Sequence, residues 1–277
     1  MPYVDLHVHS NASDGTFTPA QVVKAAQAAG LSAMALTDHD TVAGVSEAIE
    51  ASRGSSLELI PGTELSCVCQ GTEIHILGLY INWQDPLLCE SLEQIRRVRE
   101  KRNMEMVKRF QEAGFPITVE ELNSGNPNTV ITRAHFAKVL TQKGYAKDMS
   151  AAFKKYLQYG GPYCIKKEEI TPERAMELLT HADAIPVLAH PMQYHLGYRQ
   201  VEDLLNYLKS MGLKGVEVYH PSSNQCQSGK LLNLANRLQL LPTGGSDFHG
   251  LNKPDIQIGT GRGNLRVPQA LLDNLKK

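Results

Sequence analysis

Six short apolar runs along the chain, YVDLHVHS, SAMALTDHD, LELIPGTELS, IPVLAHP, GVEVYHP and LPTGGSDFHG, have strand character and end in polar or acidic clusters. Segments of helical periodicity lie between them. Such alternation predicts a parallel sheet with right-handed crossovers, either a closed barrel or an open doubly wound sheet. The polar clusters decide between the two, because the C-terminal ends of barrel strands converge on one mouth while an open sheet scatters most of them. We therefore expect an α/β barrel. The connecting helices carry readable caps: Thr18 with Pro19 opens one that stops at Gly30, and Thr171 with Pro172 opens another.

The strand pattern lapses between about Leu87 and Gly161. A long charged helix, SLEQIRRVREKRNMEMVKRFQEAG, leads there into shorter helical pieces around ITVEELN, TRAHFAKVLTQKG and SAAFKKYL. The expected organisation is a barrel in two parts, residues 1–86 and 162–277, interrupted by a helical insertion over 87–161. The insertion either covers the barrel mouth or decorates a remote face. Its alternating charges read as a solvated helix face.

At 277 residues the chain can bury a substantial core, and 42% hydrophobic with 21% charged residues is an ordinary globular composition. No apolar stretch approaches the roughly 20 residues of a membrane span. The opening MPYVDLHVHS lacks the basic and apolar regions of a secretory signal, so a cytoplasmic location is expected. Five scattered cysteines, an odd number, argue against a disulfide framework; Cys67 and Cys69 read as a thiol pair on one strand face. With 28 Lys plus Arg against 29 Asp plus Glu, the chain has no global attraction for long nucleic acid, so a short anionic ligand would be captured locally.

The chemistry concentrates at the strand ends. His7 and His9 are two apart on a strand and face the same side, a geometry suited to one metal ion. Asp14 follows in a Ser-Asp-Gly turn, where a turn-forming or capping role is the plain alternative. Asp38-His39-Asp40 offers an imidazole ligand between two carboxylates that can orient ring N–H groups. Glu64 is expected to close the third strand in GTELS, His75 lies in EIHILGLY, His190 in LAHP, and Asp247 and His249 in GGSDFHG. Six of the ten histidines thus fall in or at the ends of predicted strands in company with acids, a placement that chance explains poorly.

HVHS near the start, TDHD about thirty residues later, then GTE, AHP and SDFH in that order resemble the PHP (polymerase and histidinol phosphatase) family from Tyr3 to Gly250, the insertion apart. The resemblance implies a distorted seven-stranded (β/α)7 TIM-like barrel with a trinuclear metal site and phosphoester hydrolysis as the activity. It places His7, His9, Glu64 and Asp247 around a first divalent ion, Glu64, His75 and His190 around a second, and Asp14, His39 and His249 around a third. Some relatives have a histidine at the position of Asp14; a carboxylate hardens that site and leans the preference towards Mn²⁺ or Fe²⁺ over Zn²⁺. Three such ions bring six positive charges against three ligand carboxylates, an excess that attracts phosphate.

A proton for the leaving group would come from His190 or His249 if released from metal, from a water, or from Asp38. Arg133 and His135 of TRAHF resemble the Arg-x-His of stand-alone bacterial members and are expected to touch phosphate, the alternative being an exposed helix face. His220 is expected either at the mouth or in packing, and His181 and His195 read as surface residues. Within the family the chain is similar to the short bacterial branch linked to 3′,5′-nucleoside bisphosphates and the 5′ ends of short RNA. Histidinol phosphate is the alternative substrate and a non-catalytic metal-binding module the alternative role. Amide hydrolysis shares the His-x-His opening but relies on a bridging lysine where this chain has Glu64, and no polymerase module accompanies the domain.

Overall fold

The computed structural model describes residues 2–127, 129–158, 161–165 and 170–276. Eight strands form one sheet: β1 (Tyr3–Val8), β2 (Ala33–Leu36), β3 (Glu58–Cys69), β4 (Thr72–Leu79), β5 (Ile185–Leu188), β6 (Gly215–Tyr219), β7 (Leu241–Gly244) and β8 (Val267–Pro268). Their order is β7-β6-β5-β4-β3-β2-β1-β8. The sheet curls until β7 approaches β1. There the Asp247 N–H donates to the His7 carbonyl at 2.9 Å, the His9 N–H donates to the Phe248 carbonyl at 3.0 Å, and Val8 bridges Phe248 in parallel. The barrel read from the strand-end pattern is present in the distorted form that the family resemblance implies, and the seven strands expected from that resemblance are joined by an eighth of two residues, antiparallel to β1.

The sheet is not wholly parallel, which corrects the expectation. β4 runs antiparallel to both β3 and β5. The cause is local. Only Gln70 and Gly71 separate β3 from β4, both with left-handed backbone (φ 49° and 81°), as a tight hairpin turn requires. A crossover to a parallel strand needs a dozen or more residues, so this connection can only reverse.

Ten helices complete the fold: α1 (Pro19–Ala28), α2 (Val45–Ser52), α3 (Pro86–Glu112), α4 (Val119–Leu122), α5 (Arg133–Gln142), α6 (Met149–Tyr156), α7 (Pro172–His181), α8 (Tyr198–Ser210), α9 (Gln225–Arg237) and α10 (Gln269–Leu275), these among the described residues. Thr18 caps α1 reciprocally with Gln21, and Thr171 caps α7, as the caps in the sequence predict. Val4, Leu6, Ile60, Leu77 and Val187 from four strands pack together with Leu272 of α10. A larger cluster joins Leu65, Ile74 and Ile76 to α7, α8, α9 and the first half of α3. The second half of α3 and α4 to α6 gather around Met106, Phe110, Phe136 and Leu140, a core of their own. Hydrogen bonds tie this helical group to the loop after β1, from Val130 N–H to the Ala12 carbonyl and from the Thr129 hydroxyl to the Asn11 carbonyl, both 3.0 Å.

Closure of the barrel leaves no room for a side chain at position 245, where a Cβ would overlap the backbone of His7. Gly245→Ala is therefore expected to cost about 1–3 kcal/mol of stability through overpacking, and to displace His7 with it. Denaturant unfolding of the two proteins measures the first effect; an unchanged midpoint would mean that β7 can retreat from β1 freely.

Candidate metal centre

The ends of β1, β2, β5 and β7 and the middles of β3 and β4 bring nine side chains to one point; β3 runs on to Cys69, so Glu64 does not close its strand as expected from the sequence. Glu64 lies at the centre. Its Oε2 is 3.0 Å from His39 Nδ1, 3.3 Å from His9 Nε2 and 3.4 Å from His7 Nε2, while its Oε1 is 2.9 Å from His75 Nδ1 and 3.0 Å from His190 Nε2. Asp14 Oδ1 faces His249 Nε2 at 3.1 Å, and Asp247 Oδ1 lies 3.4 Å from His9 Nε2. Strand register sets this up: His39 bridges Glu64 in parallel, with backbone hydrogen bonds from Glu64 N–H to Asp38 and from Asp40 N–H to Glu64. Asp40, His190 and Asp247 hold left-handed backbone (φ 51°, 27° and 54°), uncommon for residues other than glycine and typical of strained functional turns.

Four groups of atoms are close enough to share an ion: His9, Asp14, His39 and His249; His7, Glu64 and His190; His7, His9 and Asp247; His39, Glu64 and His75. All nine ligands expected from the sequence occur in them, but the groups overlap, with His39 close to Glu64 as well as to Asp14.

The proton inventory fits cations. His249 Nδ1 lies 2.8 Å from the Asp247 carbonyl, which only accepts, so Nδ1 carries the proton and the neutral ring turns a lone pair on Nε2 towards the Asp14 carboxylate. His7 Nδ1 lies 3.2 Å from Glu217; burial opposes a charge on this ring, yet Glu64 and Glu217 raise its pKa well above the usual range, and its Nε2 meets His9 Nε2 at 3.0 Å, so the two facing nitrogens need one shared proton or a cation between them. Glu64 Oε2, His39 Nδ1 and His190 Nδ1 are buried without a hydrogen-bond partner. Lone pair facing lone pair is repulsive unless positive charge stands between. Burial opposes a charge on His9, yet Asp247 and Glu64 outweigh it and push its pKa up to about 9. Burial also opposes His75, which Glu64 and Glu73 push up to about 10. Burial holds His39 down to about 3 and His190 down to about 4. Imidazole and carboxylate oxygen without thiolate is a donor set for hard to borderline divalent ions.

A family model described as PHP domain matches residues 5–218. The chain belongs to the PHP family. It is 36% identical over 245 residues to a protein of Haemophilus influenzae named 5′-3′ exoribonuclease, covering 88% of this chain and 89% of that one. It is 33% identical over 261 residues to a protein of Chromobacterium violaceum named 3′,5′-nucleoside bisphosphate phosphatase, covering 94% and 91%. The crystal structure of a Bifidobacterium adolescentis protein assigned as a metal-dependent phosphoesterase superimposes with a TM-score of 0.86 at 31% identity, over 99% of this chain and 95% of that one.

Other residues singled out from the sequence of this PHP protein fall in different places. Asp38 is buried and does not line the cavity; its carboxylate accepts from the Ser10 N–H at 2.8 Å and from the hydroxyls of Ser10 and Ser13, each at 2.6 Å. His135 does not line it either. Its Nδ1 accepts from the Thr132 N–H at 3.0 Å, closing the cap of α5, and burial holds its pKa down to about 4. His220 stands behind the centre, with Nε2 3.4 Å from Asp247 Oδ2 and Nδ1 2.6 Å from the Ser222 hydroxyl. Arg133 does line the cavity, a space of about 280 Å³, and pairs with Glu73.

Sequence reasoning missed four residues. Glu217 accepts from His7 Nδ1 and from the His190 N–H at 2.8 Å, and as the one acid inside the apolar run GVEVY it was open to detection as a buried charge. Lys253 pairs with Asp247 at 2.6 Å. Arg99 and Arg102 of α3 are buried against the cavity, which corrects the solvated-face reading of that part of the helix. They continue the inward stripe of Leu92, Ile95 and Met106, and a charge on an apolar stripe was the available signal.

Glu217 fixes the ring of His7 and the backbone of His190 together. Glu217→Gln keeps the shape and loses the charge, and about 10–100-fold weaker metal retention is expected. Metal titration of stripped protein checks this; equal affinity would reduce Glu217 to packing.

Proposed function

We propose that this PHP protein is a metal-dependent phosphoesterase of small nucleotides, acting on a 3′,5′-nucleoside bisphosphate or on the 5′ end of a short oligonucleotide. The observation that carries the reading is one cavity with the nine-ligand centre on one side and Arg99, Arg102 and Arg133 on the other. The relatives named for bisphosphate and RNA hydrolysis point to the same chemistry. The arginines also weigh against histidinol phosphate, since their charges repel an amine that a histidinol pocket has to welcome.

Three divalent cations are assigned, with Mn²⁺ preferred: one among His7, His9, Glu64 and Asp247, one among Glu64, His75 and His190, one among Asp14, His39 and His249. Bound there, they supply Lewis acidity and make water a better nucleophile at neutral pH. The protein's own part is to orient and to exclude. Glu217 and Asp38 position ligand-bearing segments, and the hydrogen bonds on Asp38 support that role over proton transfer. Thr132 donates to Asp14 Oδ2 at 2.9 Å, so the start of α5 is tied to a ligand and Arg133 is aimed by the same helix. Arg133 reaches the ester oxygens of the reacting phosphate, its partner Glu73 lying 3.7 Å from His75. The insertion over 87–161 acts as a cap on the mouth. Among the described residues no helix is long and apolar enough to cross a membrane, and five scattered cysteines, an odd number, suit the reducing cytoplasm.

Chelation should abolish turnover of an aryl phosphate, and Mn²⁺ should restore it best. Glu64→Gln should lose both turnover and bound metal in elemental analysis. A stripped protein with full activity would remove the metal reading altogether. Arg133→Ala should keep its metal and lose about 1.5–3 kcal/mol in kcat/KM for every phosphate ester, with Arg133→Lys recovering part. Unchanged kinetics in the alanine variant would take Arg133 out of the site.

A further inference from the structure

The three guanidinium groups on the cap side of the cavity are not equivalent. Arg99 gives Nη2 to the buried carboxylate of Asp40, and Arg133 gives Nη2 to Glu73. Arg102 is only 8% exposed, yet its Nε and Nη2 are buried with no hydrogen-bond partner. Leaving a buried guanidinium without a partner is among the costlier arrangements a fold can keep. Burial, with Arg99 and Arg133 nearby, lowers its pKa to about 10, so it still carries its charge at neutral pH. Both acids that pair with cationic side chains on this wall are taken by its neighbours.

Arg102 comes from α3 three residues after Arg99, one turn further along the helix and on the same face. Arg133, by contrast, leads through Glu73 to His75 and so belongs to the metal end of the cavity. Met149 and Phe153 of α6 add apolar surface to the same space, suited to the nucleoside that separates two phosphates.

We infer that Arg102 is the receptor for a second phosphate of the substrate, one that is bound and not cleaved. The inference rests on the phosphoesterase reading and deepens it. It makes the enzyme selective for nucleotides with two phosphate groups over those with one, because only the former pair the buried charge. The buried Nε–H and Nη2–H form a planar fork without a partner, and such a fork matches phosphate oxygens in a bidentate manner.

The test uses metal-loaded protein with elemental analysis and thermal unfolding as controls. Steady-state kcat/KM is measured for adenosine 3′,5′-bisphosphate, adenosine 3′-monophosphate, adenosine 5′-monophosphate and an aryl phosphate. Calorimetric binding is measured in parallel for hydrolysis-inert phosphonate analogues of the bisphosphate and of a monophosphate. Wild type should favour the two-phosphate compound in both assays, and in Arg102→Met both preferences should shrink at least tenfold. Arg102→Lys, which keeps the charge should the methionine variant fail to fold, should shrink them severalfold, because a point charge replaces the fork. Variants that retain both preferences overturn the inference. So does a wild type that hydrolyses the aryl phosphate but shows no preference for two phosphates, and in that case the phosphoesterase reading stands. If wild type with its full metal complement hydrolyses none of the esters, that reading fails, and the ratio of phosphonate affinities alone decides on Arg102.

Discussion

The carboxylate of Glu64 meets the ring nitrogens of His7, His9, His39, His75 and His190 within 3.4 Å, at 1% exposure. A carboxylate taken out of water loses several kcal/mol of solvation unless positive charge replaces it. Burial alone would raise its pKa, yet His39, His7 and His75 hold it well below the usual range. Several constraints on the barrel follow from keeping this group charged. β3 has to pass the ends of β1 and β2 with Glu64 in register beside His39, which the His39–Glu64 bridge enforces. β4 has to return beside β3 to deliver His75 opposite Ser66, which the Gln70-Gly71 reversal achieves. A parallel crossover would have spent a helix there and set a different register.

The same economy extends to the helical group built on α3 to α6. It meets the barrel through the candidate ligands and their neighbours: Arg99 pairs with Asp40, next in sequence to His39, and Thr132 donates to Asp14. A buried ion pair contributes little net stability compared with apolar packing, but breaking one half of it is costly. Such pairs therefore specify where the helical group sits more than how strongly it holds. The position matters because Arg99, Arg102 and Arg133 all ride on it, and displacement by about an ångström is enough to spoil a catalytic constellation.

Much of this was legible before any coordinates. Candidate ligands at strand ends announce themselves because a buried polar residue at the end of an apolar run has few uses other than a site; His7, His39, His190 and Asp247 are of that kind, while Glu64 sits inside a strand that runs on to Cys69. The caps Thr18 and Thr171 were legible because their hydrogen bonds are local. What escaped was non-local. The antiparallel course of β4 hangs on two residues between strands long enough to read as one apolar stretch. The roles of Asp38 and His135 depend on partners, Ser10 and Ser13 for one and Thr132 for the other, and residue type does not say whether a lone pair is already occupied. Arg99 and Arg102 were hidden by a helix whose other arginines, such as Arg97 and Arg109, do face solvent and pair with acids one turn away.

The two sides of the cavity solve one electrostatic problem in opposite ways. On the barrel side, carboxylates and imidazoles converge, a donor set that suits cations. On the cap side, guanidinium groups converge and call for anions. Arg99 and Arg133 reach the barrel acids Asp40 and Glu73, but Lys253 is the one lysine or arginine of the described cavity wall that pairs with a candidate ligand carboxylate, that of Asp247. A molecule that binds between them has to present negative oxygen to both sides at once, and a phosphate does so with charge to spare. Water fills such a space poorly, because it cannot replace the missing charge. The arrangement is thus most favourable when metal and phosphate are both present, and each is expected to strengthen the binding of the other by the same factor, as linkage demands.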